Sequence, residues 1–191
     1  MHSVCLGVMK KLLLTWTKGS HHLRQFKLSA MQVLQINQKL SEIAPYIPDC
    51  FARKPRGIDQ IDRWKATELR QFLLYTGRVV MKDFLQERMF THFLTLSVAM
   101  SILLCPHLVR EKCNIVHAHK LLKFFVEEGC EIYGPSFAVY NVHTLLHLAD
   151  DAERYGALDI CSGFLFENFL QKLKRKVRSG RRPLAQLLKR L

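Results

Sequence analysis

The sequence predicts a mainly α-helical protein, and three observations support that fold class. Apolar residues recur at the three- and four-residue spacing of one helix face in most of the long segments. Glycines and prolines separate these segments, as expected at helix ends. No stretch alternates apolar and polar residues for long, so a large sheet is not supported, and the runs 79–81 and 159–161 are candidates for isolated strands only. With 191 residues, 49% of them apolar, we expect one domain over residues 1–191.

Two helices are predicted before the first prolines. Residues 1–16 form the first, which ends near Gly19, and residues 28–43 form the second, which begins near Ser29. The side chains expected to be buried are Val4, Val8, Leu12 and Thr15 in the first helix and Met31, Leu34, Ile36, Leu40 and Ile43 in the second. Pro45 and Pro48 then prevent the second helix from continuing.

Residues 46–61 read as an ordered loop, and a helix up to Gly77 follows it. Asp62 and Thr67 are alternative caps for that helix. The basic side chains expected to be exposed on the loop are Arg53, Lys54 and Arg56.

Further helices, with proline or glycine at their ends, are predicted in the second half of the chain. One runs over residues 81–104 and stops before Pro106, and another begins at Asn114 and ends near Gly134. A third covers residues 138–155, closed by Gly156. The last two are the helix within residues 163–179 and a short one starting at Pro183, a residue suited to a first helical turn.

Composition points to an intracellular protein with a polyanionic partner. The 29 Lys and Arg residues against 16 Asp and Glu give a net charge of +13, which suits nucleic acid first and an anionic membrane surface second. The six cysteines show no C-x-x-C pair, so neither a zinc site nor a disulfide framework is indicated, and we expect reduced thiols. The most apolar stretch, residues 93–105, is shorter than the roughly 20 residues that a bilayer span requires, so no membrane insertion is expected.

Residues 163–179 carry the most informative pattern. Phe166, Phe169, Leu170, Leu173 and Val177 mark one apolar helix side, and Glu167 stands at its edge. The basic residues that follow, with no acid through to the last residue, are Lys172, Lys174, Arg175, Lys176, Arg178, Arg181 and Arg182. They are either a solvated helix face or a surface that contacts DNA phosphates without reading the base sequence. Glu167 is either a first-turn carboxylate that complements the helix dipole or an oxygen ligand for Mg²⁺.

Other candidate sites have weaker patterns. His143 and His147 lie four residues apart on one predicted helix face, near Asp150 and Asp151, so a metal site there competes with an ordinary polar face. Thr144 stands where the familiar two-histidine metalloprotease pattern has its glutamate, which favours the polar face.

Three stretches together resemble a known family. They are residues 1–13 (MHSVCLGVMKKLL), residues 64–75 (WKATELRQFLLY), and the region from Asn141-Val142-His143 through His147-Leu148, Tyr155-Gly156 and Phe166-Glu167-Asn168 to Leu173-Lys174 and Val177-Arg178. In this order they resemble the C-terminal half of CACTA-type (En/Spm-like) transposases, including the uncharacterised domain that those transposases carry. The resemblance covers nearly the whole chain, and its third part is the most specific.

The resemblance implies a ribonuclease-H-like DDE fold, in which two Asp and one Glu hold two Mg²⁺ ions for DNA strand cleavage and joining. Residues 1–135 then correspond to insertion-type helices, and residues 136–191 to terminal helices with the basic segment, while most of the sheet is missing. His2 matches the histidine of an Asp-x-x-His motif whose Asp falls before Met1, and Glu167 matches the third acidic residue.

One carboxylate cannot hold two Mg²⁺ ions, so the resemblance implies a catalytically incomplete, transposase-derived fragment with non-specific DNA binding. The alternatives are part of an active DDE transposase whose Asp residues lie outside this chain, and a helical protein-interaction domain. A functional fragment of this family would act in the nucleus. Apolar faces that lack their sheet also predict self-association.

Overall fold

The computed structural model describes residues 2–19, 21–51, 53–160 and 163–189. Within these ranges the chain forms ten α-helices and no β-strand, which confirms the mainly α prediction. The helices are α1 (Lys10–Lys18), α2 (Ala30–Ile43), α3 (Ala66–Gln71), α4 (Gly77–Val80), α5 (Glu87–Leu104), α6 (Lys112–Tyr133), α7 (Tyr140–His143), α8 (Leu148–Tyr155), α9 (Phe164–Lys176) and α10 (Pro183–Leu188). None of the helices in these ranges combines the length and hydrophobicity needed to cross a bilayer.

The helix pair α5 and α6 forms the centre of the core. These two helices pack on each other more extensively than any other pair, and the short connection between them makes them antiparallel neighbours. Phe93 on α5 meets Trp16 of α1 edge to face, with ring centroids 6.0 Å apart. The Trp16 indole N–H donates to the Tyr133 hydroxyl at the end of α6, across 3.1 Å. Aromatic contacts therefore join the N-terminal helix to the central pair.

His92 lies within this core and is fully buried. Its ring stacks on Phe125, with centroids 4.1 Å apart, and Nε2 lies 2.9 Å from the Phe125 carbonyl oxygen. That contact assigns the proton to Nε2, because a carbonyl can only accept. Burial lowers the pKa of His92 to about 4, so the ring is neutral at physiological pH.

The N-terminal helix confirms its prediction. π-Helical turns over Ser3–Met9 lead directly into α1, which ends at Gly19, where the backbone N–H donates to the Thr15 carbonyl. Val4, Val8 and Leu12 are completely buried.

Helix α2 begins as predicted but buries a narrower side. Ser29 accepts from the Gln32 backbone N–H while the Gln32 side chain accepts from the Ser29 N–H, a reciprocal cap. Ile36 and Leu40 are buried, but Met31 and Leu34 are 63% and 62% exposed, so their predicted burial was wrong. Periodicity alone cannot show how wide a strip the neighbouring elements cover.

The loop before α3 also differs from the prediction. Arg56 is only partly exposed, because its guanidinium donates to both carboxylate oxygens of buried Glu68, at 2.7 and 2.9 Å. Neither predicted cap starts the helix: Asp62 pairs with Lys18, and Thr67 lies inside α3. Glu68 instead accepts from the Lys65 backbone N–H at 2.8 Å, so an acid in the first turn satisfies the helix start.

Two further helix starts were predicted wrongly. Helix α5 begins at Glu87 and not near residue 81, since Met81 accepts two turn hydrogen bonds, from Phe84 and Leu85. Helix α6 begins at Lys112, and Asn114 donates to the Leu108 carbonyl instead of capping it.

The predicted helix 138–155 is divided by a 3-10 turn, Thr144–His147, between α7 and α8. The described residues of the two runs proposed as isolated strands, 79–81 and 159–161, form helix and turn in the structure. Cys161 lies outside the described residues.

Candidate nucleic-acid interface

The basic segment, defined as residues 172–182, spans the end of α9 and the chain that follows it. Helix α9 ends at Lys176, and Val177 is extended with φ −92° and ψ 112°. The helix side predicted from Phe166 to Val177 therefore extends one residue too far, and Arg178 lies outside α9. Lys174, Arg175 and Lys176 occupy the last turn, where cations complement the negative end of the helix dipole.

Most cations of the basic segment face solvent. The exposed ones are Lys172, Lys174, Arg175, Arg178, Arg181 and Arg182, while Lys176 is partly buried. Within the part of the chain that the structure describes, none of the exposed ones pairs with a carboxylate. Elsewhere many exposed cations do pair, as Lys39 does with Asp83 and Lys112 with Glu153. The six exposed cations therefore carry positive charge that no described carboxylate compensates.

A glutamine of α10 organises the connection between the two last helices. Gln186 Oε1 accepts from the Arg178 backbone N–H at 2.9 Å, and Nε2 donates to the Arg181 carbonyl at 2.6 Å and to the Ser179 carbonyl at 3.1 Å. Arg182 adopts the left-handed conformation, with φ 50° and ψ 59°, immediately before Pro183. A non-glycine residue persists there when its surroundings fix it, as these hydrogen bonds do.

The described apolar side chains in the first half of α9 are exposed. Phe166, Phe169 and Leu170 are 75%, 56% and 61% exposed, and Leu184 and Leu188 of α10 are also exposed. Helix α9 packs chiefly on α10. Helices α9 and α10 thus present aromatic and aliphatic side chains next to the basic segment, a combination suited to a partner surface.

The two residues matched to transposase motifs lie on helices with different main neighbours. His2 directly precedes the π-helical turns Ser3–Met9, which pack on α3 and α7. Glu167 belongs to the first half of α9, but its side chain lies outside the described residues. Both proposed roles of Glu167, dipole partner and Mg²⁺ ligand, therefore stay predictions.

His143 and His147 lie side by side although the helix between them is interrupted. Their ring centroids are 5.5 Å apart and both side chains are exposed. Among the described residues, no group of three or more His, Cys, Asp and Glu side chains is arranged to hold a metal ion. The pair by itself supplies too few ligands for a structural zinc site.

Cys5 does not have the properties of a nucleophile. Its side chain is fully buried, and burial raises the pKa of the thiol to about 11. The thiol therefore stays protonated at neutral pH, and the thiolate is the reactive form.

Sequence reasoning located the cations of the basic segment but missed Gln186. A glutamine in a short helix gives no pattern of its own, and its role depends on the turn that brings Arg178 back beside it. Comparisons with known protein families, with curated proteins and with solved structures found no match to this chain.

Proposed function

We propose that this chain is a transposase-derived helical protein that binds DNA without sequence specificity through the basic segment. The proposal is carried by six exposed cations that pair with no carboxylate among the described residues, namely Lys172, Lys174, Arg175, Arg178, Arg181 and Arg182. Lysine and arginine contacts to phosphates displace condensed counterions, which drives association with any DNA sequence. Such contacts position a protein on the duplex but carry no base information.

The turn between α9 and α10 supports this assignment. Gln186 fixes the backbone of Arg178 and Arg181, so their side chains leave from a defined surface and not from a loose tail. A pre-ordered backbone loses less conformational entropy when it binds.

The proposed transposase origin rests on the sequence resemblance. The proposed lack of catalysis rests on the number of carboxylates available to bind metal ions. Two-metal phosphoryl transfer needs several carboxylates that converge on the ions. The resemblance assigns only Glu167 to that set, with His2 as the motif histidine. We therefore propose a chain that is catalytically incomplete by itself, with Mg²⁺ bound only in an intact family member, and that acts in the nucleus. The alternative is part of an active DDE transposase whose two Asp residues are supplied from outside this chain.

DNA binding is tested with two variants of equal charge. In the first, Lys172, Lys174, Arg175 and Arg178 are changed to Gln; in the control, the exposed cations Lys27, Lys82, Arg110 and Lys120 are changed to Gln. Fluorescence anisotropy with two unrelated duplexes measures affinity. We expect the wild type to bind both duplexes equally, the first variant to lose at least about tenfold, and the control to lose much less. Equal losses in the two variants would show that net charge, and not the basic segment, drives binding.

A second candidate function is favoured by the uncovered apolar side of α9. Exposed Phe166, Phe169 and Leu170 next to cations fit a helix that docks in an apolar groove of an acidic protein. The double change Phe169→Ser and Leu170→Ser distinguishes the two functions, because it removes the apolar anchor and leaves every cation. DNA affinity that is unchanged in this variant supports DNA binding.

The same double variant tests self-association. Sedimentation of the wild type as a dimer, and of the double variant as a monomer, would assign the apolar side of α9 to contacts between copies of this chain.

A further inference from the structure

A second candidate site, which shares no residue with the basic segment, lies between the loop around Phe51 and the helical stretch that begins with α3. It is a pocket of about 290 Å³. The side chains that matter to its chemistry are Phe51, Arg53, Thr67, Arg70, Gln71 and Tyr75. The volume is at the lower end of the range of small-molecule sites, which suits a single small ligand.

Arg53 supplies an available cation at this pocket. Its side chain is 51% exposed, and its Nε lies 4.0 Å from Glu68 Oε2, an ion-pair contact that is too long for a hydrogen bond. Glu68 already accepts two hydrogen bonds from Arg56 and one from the Lys65 backbone, so Arg56 is its main partner and Arg53 is held only by the longer ion-pair contact. The Arg53 guanidinium can therefore bind an anion that enters from solvent.

Arg70 is a fixed part of the pocket wall. Its two terminal nitrogens donate to the two oxygens of Asp159, at 2.5 and 2.7 Å. This bidentate pair holds the guanidinium plane in place and neutralises its charge, so Arg53 is the cation left for the ligand.

Gln71 adds a buried donor without an acceptor. Its side chain is only 4% exposed, and among the described residues Nε2 has no hydrogen-bond partner. Buried amide groups are nearly always hydrogen-bonded, so an unpaired one beside a pocket indicates a donor that reaches a ligand acceptor once the Gln71 side chain turns toward the pocket. The hydroxyls of Thr67 and Tyr75 add further polar groups to the same wall.

Tyr75 offers an aromatic surface at the mouth. It is 55% exposed and meets Phe51 edge to face, with centroids 5.3 Å apart and an interplanar angle of 78°. The edge contact with Phe51 holds the Tyr75 ring in position. A nucleobase can stack on such a ring, and stacking of this kind accepts any base.

We infer that this pocket binds one nucleotide unit, with the base on Tyr75, the phosphate on Arg53, and an acceptor atom of the ligand on the Gln71 amide. An aromatic ring that carries an anion is the ligand chemistry that satisfies all three groups together. The inference does not rest on DNA binding by the basic segment, because the two sites share no residue.

Calorimetric titration of the full chain with dAMP, deoxyadenosine and inorganic phosphate tests the assignment. We expect dAMP to bind at least about tenfold more tightly than either part alone, since both Tyr75 and Arg53 contribute. A short single-stranded oligonucleotide distinguishes a free nucleotide from a unit within a strand: tighter binding of the strand than of dAMP assigns the pocket to nucleic acid.

Two surface variants and two matched controls complete the test. Arg53→Gln and Tyr75→Ser should each weaken dAMP binding at least tenfold, while Arg154→Gln and Tyr140→Ser, at exposed positions elsewhere, should not. The basic-segment variant should bind dAMP as the wild type does, which separates this site from the proposed DNA surface. Undetectable binding of dAMP at millimolar concentration overturns the inference, and so does binding of dAMP by Arg53→Gln and Tyr75→Ser with the affinity of the wild type. Circular dichroism confirms that each variant is folded.

Discussion

Gln186 accepts a hydrogen bond from the backbone N–H of Arg178 across 2.9 Å and so couples the short helix α10 to the end of the basic segment. The same side chain also donates to the Arg181 carbonyl at 2.6 Å. One neutral residue therefore orders the backbone that carries the last cations.

Replacing Gln186 with Ala should loosen this turn and weaken DNA binding. At an exposed site, the loss of each hydrogen bond destabilises the turn by about 1 kcal/mol or less. We therefore expect roughly a fivefold loss of DNA affinity. Amide exchange at Arg178 measures the loosening directly. Gln171→Ala, an exposed glutamine within α9, is the control and should change neither quantity. Unchanged exchange at Arg178 in Gln186→Ala would show that the turn is ordered by something else.

The Arg56–Glu68 pair should stabilise the fold above about pH 4.5. Burial raises the pKa of Glu68, but hydrogen bonds from Arg56 and the Lys65 backbone outweigh it and leave the pKa below its usual value. A lowered carboxyl pKa contributes stability that is complete above the unfolded-state pKa and is lost as the pH falls through the folded-state pKa.

We therefore expect Glu68→Gln to lower the free energy of unfolding by about 2 to 4 kcal/mol at pH 7, because Arg56 loses its charged partner. Urea unfolding at pH 7 and near pH 3 measures the difference, which should shrink in acid. The exposed residue Glu42, changed to Gln, is the control. A difference that stays the same in acid would exclude the ionised pair as its cause.

His92 should make the fold less stable between pH 6.5 and 4. The pKa of His92 is lowered to about 4 in the folded chain. On acidification His92 is therefore protonated first in the unfolded chain, which stabilises the unfolded state relative to the folded one. The loss amounts to about 3 kcal/mol over that range, at 1.36 kcal/mol per pKa unit.

His92→Gln keeps a donor for the Phe125 carbonyl but cannot titrate. Its unfolding free energy, measured in urea from pH 7 to 4.5, should be lower than that of the wild type at pH 7 and should vary less with pH. An identical pH dependence in both proteins would mean that His92 is not the titrating group.

Glu167 should not support DNA cleavage in this chain alone. A plasmid-nicking assay with Mg²⁺ or Mn²⁺ should give the same background for the wild type and for Glu167→Gln, since one carboxylate cannot hold two ions. Cleavage by the wild type that disappears in Glu167→Gln would refute the incomplete-catalyst proposal and favour an active enzyme.

Helix identity could be predicted from the sequence because spacing, caps and breakers are local. Ser29 and Gln32 cap the start of α2, as their residue types suggest. Gly134 and Gly156, with φ 88° and 80°, follow the ends of α6 and α8. Contacts between distant residues could not be predicted. Arg56 was predicted to be exposed on a loop, but it pairs with Glu68. Met81 lies in a turn, although the apolar spacing of the sequence predicted a helix there.

The candidate sites divide in the same way. The cations of residues 172–182 were visible because a run of like charge is itself a sequence pattern. The role of Gln186 and the proposed role of Gln71 were not, because the first depends on a turn and the second on a pocket wall. Single polar residues acquire such roles only from their surroundings in the fold.

The salt dependence of DNA affinity tests the central claim most directly. The association constant for a duplex is measured at several salt concentrations for the wild type and for the variant with Gln at 172, 174, 175 and 178. If these cations contact phosphates, log K falls linearly with log salt, and the slope of the variant is smaller in magnitude by about 3 to 4. Equal slopes in the two proteins would contradict DNA binding through the basic segment.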